Sequence, residues 1–169
     1  MSNSHTRMRI LGIDPGTARL GFALLDYDKS CDISLVDCGV IETSKVDSDA
    51  LRLTEIRDDL EEIIDRYKPE FVAIEQLFFF KNLKTVIPVA QARGVILEIC
   101  QRKKLRIFEY TPLEMKKIIT GNGMASKDLV SDLIHKFLNL NTKIKPDDAV
   151  DAVGLALSFV RSDLSHLTY

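Results

Sequence analysis

The sequence predicts one α/β domain with a five-stranded mixed sheet flanked by helices. Three observations carry this. Five short runs, at 8–14, 20–26, 33–43, 71–75 and 105–110, are apolar, of strand length and bounded by turn-forming residues. The first three follow one another through short connections, as in an antiparallel meander. The fourth has an amphipathic helical stretch before it and another after it, which favours parallel pairing with the first. The 169 residues suffice for one sizeable core, and no internal repeat or low-complexity linker divides them.

The first strand organises the rest. Ile10, Leu11 and Ile13 form an apolar run that ends in Asp14, Pro15 and Gly16. Pro15 keeps Asp14 out of the helical region. Gly16 permits a sharp turn, or the close approach of a phosphate or metal-bound oxygen. Asp14 itself has two readings. It caps the turn through its own backbone, or it is a charge beside a buried strand that requires a partner. The motif alone leaves both open.

Residues 2–7 are polar, and 1–7 are expected as a disordered lead-in. A turn at 28–30 separates the second and third strands. A helix over 49–67 puts Leu51, Leu53, Ile56, Leu60, Ile63 and Ile64 on one face and acids on the other, and Lys68 with Pro69 stops it. The strand at 71–75 ends, like the first, in a carboxylate, Glu75. Adjacent parallel strands bring their carboxyl ends together, and open α/β sheets place sites there, so Asp14 and Glu75 are expected as neighbours.

Phe78, Phe79, Phe80 and Lys81 come next. At least one of these rings is expected in the core or a dimer contact, and an exposed one could stack on a base. A helix over 84–103 turns Val86, Val89, Ala90, Val95, Ile96 and Ile99 inward, with Pro88 in its first turns. Thr111 caps a helix opened by Pro112 that carries Lys116 and Lys117. Gly121, Asn122 and Gly123 form a loop, Ser126 caps the next helix, and Lys127 lies at its start. Residues 139–146 read as a polar loop. The last helix begins around Pro146 and Asp147. Asp148 and Asp151 share one of its faces, and Ala149, Ala152 and Ala156 would let it sit close to the sheet. The domain is expected over 8–163, with a tail at 164–169.

Composition narrows the class. No apolar run approaches the roughly 20 residues of a membrane span, and the first residues lack the apolar core of a secretory signal, so a cytoplasmic protein is expected. Cys31, Cys38 and Cys100 lack metal-ligand spacing and fit reduced thiols. The net charge is −2, yet residues 81–127 carry 10 basic against 3 acidic side chains. That segment reads either as a polyanion-binding face or as a set of solvated helix faces.

Four carboxylates stand out: Asp14 and Glu75 at strand ends, Asp148 and Asp151 at a helix start. If they converge, their repulsion demands a cation. An all-oxygen donor set suits Mg²⁺ or Mn²⁺ rather than zinc, and two such ions about 4 Å apart serve phosphodiester hydrolysis. His5, His135 and His166 offer no nucleophilic triad.

These residues carry a resemblance. The stretches 10–17 (Ile-Leu-Gly-Ile-Asp-Pro-Gly-Thr), 73–78 (Ala-Ile-Glu-Gln-Leu-Phe), 91–95 (Gln-Ala-Arg-Gly-Val), 108–110 (Phe-Glu-Tyr) and 148–152 (Asp-Ala-Val-Asp-Ala) come in the order found in the RuvC family of bacterial Holliday-junction resolvases. The resemblance spans about 8–160 and implies a ribonuclease H-like fold. It implies a metal-dependent endonuclease, a homodimer that nicks two opposed strands of four-way junction DNA in recombination and repair. It also implies Mg²⁺ as cofactor, with RuvA and RuvB as partners. The metal-binding, catalytic acids would be Asp14, Glu75, Asp148 and Asp151, and the DNA-binding residues Phe78, Lys116 and Lys127. Phe79 and Phe80 depart from the family pattern, and Asp147 adds a fifth acid, expected to be solvated or behind the ligands. A rival reading is a nucleotide-binding module of the actin and sugar-kinase type, whose first phosphate loop resembles 12–17. That fold needs a second lobe and a second glycine-rich loop, for which this chain offers no candidate.

Overall fold

The computed structural model describes residues 7–30, 32–77 and 83–166. Strands β1 (Met8–Asp14), β2 (Arg19–Tyr27), β3 (Ile33–Glu42), β4 (Phe71–Glu75) and β5 (Arg106–Tyr110) form one sheet in the order β3-β2-β1-β4-β5. The pairs β1–β2 and β2–β3 are antiparallel, and β1–β4 and β4–β5 are parallel. Helices α1 (Asp49–Tyr67) and α2 (Leu83–Arg102) cover one face. The long helix α5 (Asp147–His166) covers the other, backed by α3 (Pro112–Thr120) and α4 (Lys127–Phe137).

Strand periodicity decides which side chains meet which helices. In β1, Leu11 and Ile13 pack towards α1 and α2, and Ile10 packs towards α5. Gly12 and Asp14, two and four residues after Ile10, therefore share the α5 face. In β4, Val72 and Ile74 pack towards α1 and α2 while Phe71 and Ala73 face α5, which puts Glu75 on the α5 face too. Ile10, Leu11, Ile13, Val72 and Ile74 are fully buried. Burying each contributes about 1.5–3 kcal/mol, so the register is strongly specified.

Two glycines let α5 approach the sheet at backbone distance. A Cβ on Gly12 would lie 2.0 Å from the Ala152 carbonyl oxygen, and one on Gly21 would lie 2.0 Å from the Asp148 carbonyl oxygen. Gly21 is the β2 partner of Asp14. The first turns of α5 thus sit directly over the carboxyl end of β1. Ala149, Ala152 and Ala156 are fully buried on the helix side of this contact. The Gly16 space is filled differently: a Cβ there would meet the Arg19 carbonyl oxygen at 2.1 Å, so that glycine serves the turn itself.

Element boundaries follow local chemistry. Ser48, Thr111 and Ser126 cap their helices, and Thr111 with Glu114 forms a reciprocal capping box. Lys68 ends α1 in the left-handed conformation. The fifth strand starts at Arg106 because Lys104 is left-handed and the Leu105 N–H is used to close α2 on the Cys100 carbonyl. α5 runs to His166, into the expected tail, as no glycine or proline interrupts 161–166. Arg7, assigned above to the lead-in, pairs with Asp32 at 2.9 Å. Residues 1–6 lie outside the described residues. Among the described residues no helix is long and apolar enough to cross a membrane.

Candidate active site

The four acids approach from three elements. Ile13 of β1 pairs with Ile74 of β4, so the following residues, Asp14 and Glu75, end adjacent parallel strands side by side. The Gly12 and Gly21 contacts carry the α5 backbone at Asp148 and Ala152 onto the same end of the sheet. Asp14, Glu75 and Asp151 line one cleft of about 470 Å³ with Lys116 and Lys127. Asp148 is half-buried and is absent from that lining among the described residues, but its charge acts on Asp14 and Asp151.

The electrostatics describe a site short of positive charge. Burial first, then the charges of Glu75, Asp151 and Asp148, push the Asp14 carboxyl up to about 8. Burial and Asp151 push Glu75 up to about 6. Asp151 is also raised, burial outweighing the opposing pull of Lys127. Lys127 is the counter-charge within reach: its Nζ lies 3.5 Å from Asp151 Oδ2, and Asp151 chiefly holds its ammonium above the usual lysine range. The pull of Lys127 does not offset burial and repulsion at Asp14, Glu75 and Asp151, all of which stay raised. The donor set is all oxygen and fits a hard divalent cation. Among the described residues no three His, Cys, Asp or Glu side chains already form an ion-holding group.

Of the remaining residues singled out in the sequence, Lys116 lines the cleft half-buried and Lys127 lines it exposed. Asp147 is exposed at its rim and raises both Asp151 and Lys127. Phe78, Phe79 and Phe80 lie outside the described residues.

The sequence reading missed three supports. Arg93 of α2 donates from Nε to the Glu75 carbonyl at 3.4 Å and pairs with Glu109 of β5 at 2.8 Å, bracing the end of β4. Its signals were a basic residue in a mostly apolar helix and its place in the 91–95 stretch. Gly12 and Gly21 gave only a small residue within an apolar strand. Lys143 and Lys145 line the cleft from the loop before α5, where the alternation Lys-Ile-Lys was the available sign.

Comparison with known proteins agrees with this architecture. The family model described as crossover junction endodeoxyribonuclease RuvC matches residues 10–159. The RuvC of Fusobacterium nucleatum subsp. nucleatum is 48% identical over 162 residues, covering 96% of this chain and 85% of the relative. The solved Thermus thermophilus RuvC superposes with a TM-score of 0.87 at 26% identity, covering 94% of this chain and 97% of that one. A second T. thermophilus RuvC structure, in complex with a Holliday junction substrate, shares the fold with a TM-score of 0.84 at 24% identity, covering 95% and 97%.

Proposed function

This chain belongs to the RuvC family of crossover junction endodeoxyribonucleases, and on that premise we propose that its acidic cleft cuts four-way junction DNA by divalent-cation-dependent phosphodiester hydrolysis. The observation that carries the reading is the burial of Asp14 among three further acids at the carboxyl ends of two parallel strands. Nothing but a cation, or protonation, relieves that arrangement.

Asp14, Glu75, Asp148 and Asp151 would hold Mg²⁺, with Mn²⁺ able to substitute, as a pair of ions per site. When bound, the ions activate water and neutralise charge building on the phosphate. The chain's own groups do the rest. Asp14 and Glu75 project from a rigid sheet, so the acids hold their geometry without reorganising. Arg93 keeps the end of β4 in place through the Glu75 carbonyl. Lys127 holds Asp151 in orientation and, with Lys116, offers positive charge to the phosphate oxygens. Phe78 is assigned to stack on a base at the junction and position it.

The remaining assignments belong to the same proposal. The domain is taken as 8–163. The enzyme works as a homodimer, because paired cuts in a near two-fold junction need two sites related by a matching axis. α2, which exposes Ile87, is the candidate contact. It works with RuvA and RuvB in the cytoplasm. The test is Asp14→Asn, which keeps shape and removes the charge. It should bind junction DNA as the parent does and cut none with Mg²⁺; a variant that still cuts refutes the assignment.

A further inference from the structure

The loop joining α4 to α5 is held more firmly than its polar sequence implies. Leu140 and Ile144 pack against the α5-side core. His135, on α4, fastens the loop twice. Its backbone carbonyl accepts the Leu140 N–H at 2.9 Å, and its ring Nε2 accepts the Ile144 N–H at 3.0 Å. The other ring nitrogen, Nδ1, lies 2.7 Å from the Ser131 carbonyl oxygen and so carries the proton, assigned from these partners. The ring is thereby oriented with its acceptor nitrogen aimed at the loop.

Ile144 turned inward leaves its neighbours facing out. Lys143 and Lys145 are both exposed, and both line the cleft that holds Asp14, Glu75 and Asp151. Among the described residues neither makes an ion pair, whereas Lys127 pairs with Asp151 at 3.5 Å. An acidic cleft ordinarily draws flexible lysines down onto its carboxylates. Here the anchored loop carries two exposed lysines at the rim of the cleft without an ion pair to its carboxylates among the described residues.

We propose that Lys143 and Lys145 form a phosphate-binding arm of the cleft that grips the DNA backbone, and that His135 is the positioning residue that seats this arm. The proposal rests on the nucleic-acid reading above and adds a third lysine-bearing element to α3 and α4. Lysine binds phosphate as a point charge, and contacts of this kind position a protein on the DNA backbone without reading sequence.

The test is equilibrium binding of a synthetic four-way junction in EDTA across a range of salt concentrations. The variants are Lys143→Ala with Lys145→Ala, His135→Phe, His135→Gln, and Lys29→Ala beyond the opposite end of β2 as a control. Each lost phosphate contact should reduce the slope of log affinity against log salt by about 0.9. The double lysine variant should therefore lose nearly two units of slope and about tenfold or more in affinity at moderate salt, while Lys29→Ala binds as the parent. His135→Phe should weaken binding in the parent but add nothing once both lysines are gone, and His135→Gln, which keeps an acceptor, should recover part of the loss. A double lysine variant with the parent's affinity and slope overturns the arm. Equal losses from His135→Phe with and without the lysines overturn the seating role. A parent that fails to bind junction DNA overturns the nucleic-acid reading itself, so the two failures are distinguishable.

Discussion

Without its cation, the catalytic centre should be a measurable burden on folding. Asp14 titrates at about 8 in the fold against an ordinary 3.8, first through burial and then through Glu75, Asp151 and Asp148. Between those values the folded chain binds a proton that the unfolded chain has released. Stability attached to this group is complete below about 3.8 and is lost as pH rises towards 8. At 1.36 kcal/mol per unit, the loss by neutral pH is about 4 kcal/mol, an upper figure because the neighbouring acids share the proton. Asp14→Asn removes this titration with little change in volume. In EDTA at pH 8 its Tm should exceed the parent's by roughly 10 °C, since a chain of this size shifts about 2–4 °C per kcal/mol. The advantage should shrink steadily down to pH 4. Added Mg²⁺ should raise the Tm of the parent and leave the variant almost unmoved. Thermal melts across that pH range, with and without Mg²⁺, measure all of this. An Asn variant no more stable than the parent at pH 8 in EDTA refutes the reasoning.

Other expectations follow from neighbouring contacts. Gly12→Ala places a methyl on the Ala152 carbonyl, so α5 must shift; a stability loss of about 3 kcal/mol by denaturant melts, with loss of cleavage, is expected. Gly39→Ala meets only the Phe22 ring, at 3.1 Å, and should cost far less. Arg93→Ala frees the end of β4 and should raise the Mg²⁺ concentration for half-maximal cleavage about tenfold, measured by metal titration. Lys127→Ala should push Asp14 and Glu75 further up by removing the charge that lowers both, so the cleavage pH profile should move to higher pH.

Much of this architecture could be read along the chain, because strand and helix periodicities are local and strong. The apolar run of Ile10, Leu11 and Ile13, the caps at Thr111 and Ser126, and the carboxylates ending two apolar strands all have sequence signatures. The adjacency of Asp14 and Glu75 followed from the parallel pairing inferred for their strands. What stayed hidden depends on contacts between distant segments. Gly12 and Gly21 matter because a helix more than a hundred residues later rests on them, and nothing nearby announces it. Arg93 acts on a carbonyl 18 residues earlier. His135 looked like a bystander because its partner, the Ile144 N–H, is a backbone group with no identity of its own.

Acids separated by over a hundred positions are proposed to work together on branched DNA. The most direct measurement of this is cleavage of a labelled synthetic four-way junction beside a linear duplex of the same sequence, with Mg²⁺ and with EDTA. Paired nicks in opposed strands of the junction, little cutting of the duplex and none in EDTA are the predicted result. Equal cutting of both substrates, or cutting that persists in EDTA, would contradict it.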